Sequence, residues 1–389
     1  MSELRPADQL MLMLVMKQEQ LLTQVVTVVT DPSMDPITEL LALESPIRPR
    51  RRRMRRILPI LLFGESRIYP SPTARVDVRA IADNDAILRF RFTIPQLIKI
   101  SDAMKLPTHM VTKNRIPFSD IEGLAIMLRR LSFPNALHHL APEFGRDVCS
   151  ISRIFNHMLS LLHARYGDHL RLWPAISRRR IKEYADSITR YERAAIGTWA
   201  FIDGTHRDIA RPGDPYQQLS TFNGHDRSNQ LRYQLILAPD GLFISSTGPW
   251  VGIRHDSKMF DECDLQDELF PMVDHTDSQG NGLVYMIYGD AAYRNKKIVM
   301  HPYYNVDPGT REARYNRLMS TLRVRIENSF GKTYNLFSFT SLKKYQRTGQ
   351  MPVALYFHAC VLFTNIHTCL FGNNVPFDVS APSVEEYLA

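Results

Sequence analysis

The stretch Thr198-Trp199-Ala200-Phe201-Ile202-Asp203-Gly204-Thr205-His206 decides how this 389-residue chain is read. Thr198–Ile202 is a short β-prone run ending at Asp203, and Thr205–Ala210 follows directly, as a returning strand would. Further on, Gln230–Leu237 and Leu242–Thr247 flank Ala238-Pro239-Asp240-Gly241, a strong hairpin turn. Another apolar strand, Leu283–Tyr288, ends at Gly289-Asp290. A long helical pattern then runs from about Thr310 to Leu336, with Leu318, Leu322, Ile326 and Phe330 at i, i+4, i+8 and i+12. Strands followed by helices predict an α+β fold, a mixed sheet flanked by helices.

Upstream of this region the pattern is helical from Phe92 onward. Ile94–Met104 and Phe118–Leu131 carry apolar residues at three- and four-residue spacing. Ser119 and Asp120 open the second of these, with Glu122 in its first turn, which suits a capped N-terminus. Next come Asn135–Phe144, the turn Gly145-Arg146-Asp147, and Val148–Tyr166. Two helices around a glycine-containing turn fit a helix-turn-helix, with Ser150, Ser152, Arg153 and Asn156 on the second helix. A trihelical core that never meets DNA has the same pattern.

The N-terminal part opens with a helix-like stretch, Leu10–Val29, broken by Pro32, Pro36, Pro46 and Pro49. Arg48, Arg50, Arg51, Arg52, Arg53, Arg55 and Arg56 form one basic run, too dense for an ordinary solvated helix face. It suits a nuclear-import signal or an arm that grips phosphates, and also a basic linker without a partner. The formal charge of +8 agrees with a polyanionic partner without requiring one.

An apolar share of 44% and a charged share of 23% are those of a soluble globular protein. Cys149, Cys263, Cys360 and Cys369 are scattered without paired spacing, so neither a disulfide framework nor a zinc ribbon is expected and a reducing compartment is the default. No secretory leader is expected, because the start lacks a basic segment, a continuous apolar core and a cleavage site. Val353–Phe371 is the most apolar window. It carries His358 and His367 and is better read as a core helix than as a membrane span.

Asp203 and Asp290 stand just past apolar strands, where a rigid element holds a carboxylate that still reaches solvent. Such residues also cap turns. Glu327 lies in the long helix, one turn after Arg323, where it serves a site or forms an exposed ion pair with that arginine. Taken together, three carboxylates from two strands and a helix suit hard divalent cations. Mg²⁺ takes one or two carboxylates plus substrate phosphate oxygens, and two ions about 4 Å apart act on both oxygens of a phosphodiester displacement.

Five segments carry a family resemblance. Phe201-Ile202-Asp203-Gly204-Thr205-His206 resembles the first-aspartate motif of the Harbinger-type (PIF/Harbinger) DDE transposases and their domesticated nuclease relatives. Gly252-Ile253-Arg254-His255-Asp256-Ser257 with Phe260 is similar to their G-x-x-H-D-S segment, and Tyr288-Gly289-Asp290-Ala291-Ala292-Tyr293 to their G-D-x-G-Y motif. Arg323-Val324-Arg325-Ile326-Glu327-Asn328-Ser329-Phe330-Gly331 resembles their R-x-x-x-E-x-x-F-G element. Ala359-Cys360-Val361-Leu362-Phe363-Thr364-Asn365 resembles their closing A-C-x-x-L-H-N helix. Ala292 replaces the usual glycine of the second-aspartate motif, and Phe363-Thr364 replaces leucine and histidine of the last.

The resemblance implies an RNase H-like catalytic domain in which Asp203, Asp290 and Glu327 hold two Mg²⁺ or Mn²⁺ ions. It implies a metal-dependent endonuclease and transposase acting by phosphodiester hydrolysis and strand transfer at transposon ends. It also implies assembly as a homo-oligomer on DNA, with a separate Myb-like DNA-binding protein. The expected organisation is an N-terminal helix, basic arm and linker over 1–85, an all-helical, helix-turn-helix-like DNA-binding region over 86–190, the catalytic domain over 195–375, and a tail over 376–389. DNA contacts are expected from Arg50, Arg51, Arg52, Arg53, Arg55, Arg56, Ser150, Ser152 and Arg153, and a nuclear location is expected. The alternative is a domesticated DNA-binding or scaffold protein that keeps the fold and no longer cuts.

Several residues carry competing readings. Asp256 is a fourth acidic group or, the favoured reading, a cap for a helix over Lys258–Leu269. His206 and His255 orient ligands or serve structure. His358, Cys360, His367 and Cys369 match no common zinc spacing, and burial in an apolar helix explains Cys360 better. Arg294, Lys296 and Lys297 follow the second aspartate closely and suit phosphate contacts or a solvated basic loop equally.

Overall fold

A computed structural model describes residues 74–276, 282–372 and 377–389. The expected N-terminal helix and the arginine run Arg48–Arg56 lie outside the described residues. The described residues belong to one compact unit.

Helices come first. α1 (Asp83–Phe90), α2 (Ile94–Ala103) and a two-stranded ribbon, β1 (His109–Val111) with β2 (Pro117–Ser119), lead into α3 (Asp120–Ser132). Thr93 and Gln96 close a capping box on α2, and the Ser119 hydroxyl accepts from Glu122 N at 3.2 Å on α3. α4 (Leu137–Phe144) turns through Gly145–Asp147 into α5 (Val148–Arg171). α5 is 24 residues long. Arg146 in the turn is buried, and its guanidinium is held by Glu122 of α3 and the Pro117 carbonyl. α6 (Arg178–Tyr191) follows and packs on the sheet.

The chain then enters β3 (Thr198–Asp208). A short α7 (Pro215–Thr221) and β4 (Phe222–Asn223) lead to β5 (Ser228–Leu237) and β6 (Phe243–Val251). α8 (Asp256–Asp261) and α9 (Leu265–Val273) precede β7 (Met286–Tyr288) and β8 (Val299–Met300). α10 (Arg311–Leu336), α11 (Val353–Phe371) and α12 (Val384–Leu388) close the chain. The main sheet runs β6-β5-β3-β7-β8, with β4 also pairing to β5. The β6-β5-β3 pairings are antiparallel and the β3-β7-β8 pairings are parallel. This is the mixed sheet with flanking helices that the pattern predicts.

One detail differs from expectation. The segment after Asp203 does not return; Thr198–Asp208 is one strand, because Asp203 through Asp208 stay paired with Leu235 through Gln230 of β5. Asp203 therefore lies within a strand, two residues past Phe201, the last β3 residue paired with β7. On the described part of α10, Met319, Leu322 and Thr333 are buried and Leu318 is half-buried.

One hydrophobic core joins the leading helices to the sheet. α11 is long and apolar enough to cross a membrane by composition, but it is largely buried between α5, β6 and α10. Asn365 on α11 is fully buried. It accepts from Phe243 N, donates to the Phe243 carbonyl and donates to the Tyr387 hydroxyl, each at 2.8–2.9 Å. That single side chain ties α11 to β6 and to α12 of the C-terminal tail, which buries Val384, Tyr387 and Leu388.

Candidate active site

The acidic centre is assembled by the junction of β3 with β7. Phe201 pairs with Tyr288 in parallel register, so Asp203, two residues on, and Asp290, two residues on, emerge at neighbouring places. The two residues are 87 positions apart in the chain, and Asp290 is close enough for its charge to raise the proton affinity of Asp203. Burial is the larger cause, and together they push the Asp203 carboxyl up to about 6. Opposing them, Arg323 of α10 places Nη2 3.2 Å from Asp203 Oδ1. The backbone N–H of Gly204 also donates to that oxygen at 3.0 Å.

Asp290 caps a short 3₁₀ turn, Ala291–Tyr293, its Oδ1 accepting from Ala292 N at 2.9 Å. Ala292 keeps an ordinary negative φ in this turn, so the alanine found where the resembling family has glycine fits without strain. Gly289 is the residue that has to be small. A Cβ there would lie 2.6 Å from the Tyr293 ring and 2.9 Å from Ile202. Tyr293 is fully buried and feels the charges of Asp256, Asp203 and Asp290 together.

Asp256 is the residue that sequence reasoning placed wrongly. The N-cap of α8 is His255, without a side-chain bond, and Asp256 is the first helical residue. Its carboxylate turns toward β3 instead of capping, because Arg232 on β5 holds it at 3.0 Å. A Cβ on Gly204 would lie 2.6 Å from Asp256 Oδ1, so glycine leaves the room that this carboxylate occupies. Burial raises the Asp256 carboxyl, Arg232 lowers it, and the charge of Asp290 raises it again. Gln234, fully buried beside Gly204 in the β3-β5 register, donates to the Asp256 carbonyl at 3.1 Å and to the Tyr293 hydroxyl at 2.9 Å. A glutamine in the apolar run Leu231–Leu237 was the available signal for it.

Glu327 sits on α10 one helical turn after Arg323. Arg323 reaches Asp203 and also feels Tyr288 and Asp256, so this part of α10 crosses the acidic centre. Among the described residues, no group of three or more His, Cys, Asp and Glu is placed to hold a metal ion.

The other residues singled out lie elsewhere. The Ser150 N–H and hydroxyl both donate to Asp147, the N-cap of α5, while Ser152 is half-buried and Arg153 exposed. His358 is buried, bonded to Ser246 and the Gly248 carbonyl, and Cys360 is fully buried beside it. Lys296 pairs with Asp261 of α8.

Residues 202–365 match the family model described as DDE superfamily endonuclease. The matched span starts beside Asp203, ends on Asn365 and contains Asp290 and Glu327. It covers the sheet apart from the first four residues of β3, together with α10 and most of α11, and it leaves the leading helices aside. No curated protein and no solved structure matches the chain.

Proposed function

We propose that this chain is a divalent-metal-dependent DNA endonuclease of the DDE transposase type, with Asp203, Asp290 and Glu327 as its metal ligands. The observation that carries the reading is the meeting of Asp203 and Asp290 beside adjacent parallel strands, with α10 laid across them. The match to the DDE endonuclease family over the same residues supports it.

The donor chemistry fits a hard cation. The Asp203 carboxylate is largely buried and the charge of Asp290 raises the cost of its own charge further, a cost that a divalent cation would relieve. Two carboxylates plus water and phosphate oxygens satisfy Mg²⁺ or Mn²⁺, and Glu327 on α10 would supply the third. Two such ions, when bound, activate an attacking water or 3′-hydroxyl and stabilise the leaving oxygen. The protein's own contribution is placement. β3 fixes Asp203, the capped 3₁₀ turn fixes Asp290, and Arg323 holds the Asp203 carboxylate toward α10.

In this reading the sheet is RNase H-like, a fold with which the mixed β6-β5-β3-β7-β8 sheet is consistent. The substrate is DNA, at transposon terminal repeats and then at a target site, in the manner of Harbinger-type enzymes. The arginine run Arg50–Arg56 and the helix bearing Ser150, Ser152 and Arg153 would add phosphate contacts and nuclear entry. Homo-oligomeric assembly and a separate Myb-like partner complete the proposal.

The test is a cleavage assay on DNA bearing candidate element ends, with and without Mg²⁺ or Mn²⁺, comparing wild type with Glu327→Gln. Metal-dependent cutting by wild type and its loss by several orders of magnitude in a folded, DNA-binding variant is the expected result. Cutting by Glu327→Gln at the wild-type rate ends the triad assignment. DNA binding without cutting by wild type would favour the domesticated scaffold.

A further inference from the structure

Resting on the nuclease reading, we propose that Arg294, Tyr303 and Tyr304 form a stacking platform for unpaired bases of a DNA strand entering the acidic centre. Tyr303 and Tyr304 are 55% and 51% exposed, two consecutive rings left at the surface. The guanidinium of Arg294 lies 3.7 Å from the centroid of the Tyr304 ring. Arg294 is four residues after Asp290, a separation of at most about 15 Å along the chain.

These rings are held in place. Asn316 of α10 accepts from Tyr303 N and donates to the Tyr303 carbonyl, both at 2.9 Å, which fixes the loop to the helix. The Tyr303 ring meets Tyr315 edge-on at 5.4 Å, and Tyr315 meets Tyr288 at 6.4 Å. Tyr288 ends β7, two residues before Asp290. An aromatic ladder thus connects the exposed rings to the strand that positions the second aspartate. Rings already ordered lose little freedom when a base stacks on them.

The charge around the platform selects a polyanion. Between Arg294 and Arg317, with Lys296 set aside because Asp261 pairs with it, the chain carries five basic residues, Arg294, Lys297, Arg311, Arg314 and Arg317, against two acidic ones, Asp307 and Glu312. An apolar protein partner would have to bury that excess, whereas a phosphate backbone neutralises it. Aromatic and guanidinium faces accept any base, but in a duplex the base faces are already stacked on one another. The occupant that answers to both features is therefore a strand with unpaired bases.

The experiment measures binding of the full chain to one oligonucleotide as a single strand and as a duplex, in chelator so that no cutting occurs. The oligonucleotide carries 2-aminopurine to read stacking directly. Tyr303→Leu/Tyr304→Leu keeps apolar volume against Tyr315 and removes the ring faces, while Tyr303→Phe/Tyr304→Phe keeps both. The leucine variant is expected to bind the single strand roughly tenfold or more weakly, to bind duplex within about twofold of wild type, and to lose 2-aminopurine quenching. The phenylalanine variant should behave as wild type. Unchanged single-strand affinity, or an equal loss on both substrates, overturns the platform. The readout is independent of catalysis: a wild type that never cuts but shows the strand-specific loss removes only the nuclease reading. A cutting wild type whose leucine variant binds normally removes only the platform.

Discussion

The guanidinium of Arg323 stands 3.2 Å from the carboxylate of Asp203, across 120 residues of chain. Asp203 is mostly buried and its carboxyl is raised to about 6 even with this partner in place. Arg323→Ala is expected to cost about 1–3 kcal/mol in metal-free protein, because it leaves a desolvated carboxylate without its counter-charge. Asp203→Asn in the same background should recover part of that loss. Thermal unfolding of the two single variants and the double variant checks this, and additive effects would show that the pair is not coupled.

Metal binding should appear as stabilisation before any catalytic assay. Mg²⁺ or Mn²⁺ at roughly a hundred times its dissociation constant stabilises a one-site protein by about 2.7 kcal/mol. Wild type is expected to gain melting temperature with added metal, and Asp203→Asn and Asp290→Asn are expected to gain little or none. Equal gains in all three would place the metal elsewhere.

Gly204 should not tolerate a methyl group. A Cβ there would meet the Asp256 carboxylate at 2.6 Å while Arg232 holds that carboxylate in place at 3.0 Å. Gly204→Ala is expected to cost about 1–3 kcal/mol by overpacking. In an Asp256→Ala background the space is vacated and the cost should fall sharply. A double-mutant cycle in chemical denaturation measures it, and an undiminished cost would mean the strain is not at Asp256.

The hairpin turn supplies a pH test away from the acidic centre. Asp240 is fully buried, and burial pushes its carboxyl up from 3.8 to about 6, against the hydrogen bonds from Tyr184 and Leu242 and the charge of Arg180. The folded state therefore keeps its proton at pH values where the unfolded chain has released it. Its contribution is fully present below 3.8 and is lost as pH rises through 6, on the order of 3 kcal/mol across that window. Asp240→Asn is expected to flatten that part of the stability profile. Thermal melts of both proteins from about pH 4 to 7 decide the matter, and parallel profiles would refute the assignment.

Much of the fold was written in local pattern. The hairpin at Ala238–Gly241, the cap at Ser119, the start of α10 at Thr310 and the buried character of α11 follow from turn chemistry, capping and apolar spacing, each decided by residues a few positions apart. The runs that end in Asp203 and Asp290 marked these two acidic residues as candidates in the same way. What local pattern did not decide was which residues face one another. That β3 continues past Asp203 depended on β5 offering it partners, and that Asp256 turns inward depended on Arg232 waiting across the strand. Gln234 gained its role only when Gly204, Tyr293 and Asp256 gathered around it. A strand's partners and a carboxylate's counter-charge come from distant segments, so periodicity identifies the elements, whereas tertiary packing chooses the contacts that make a site of them.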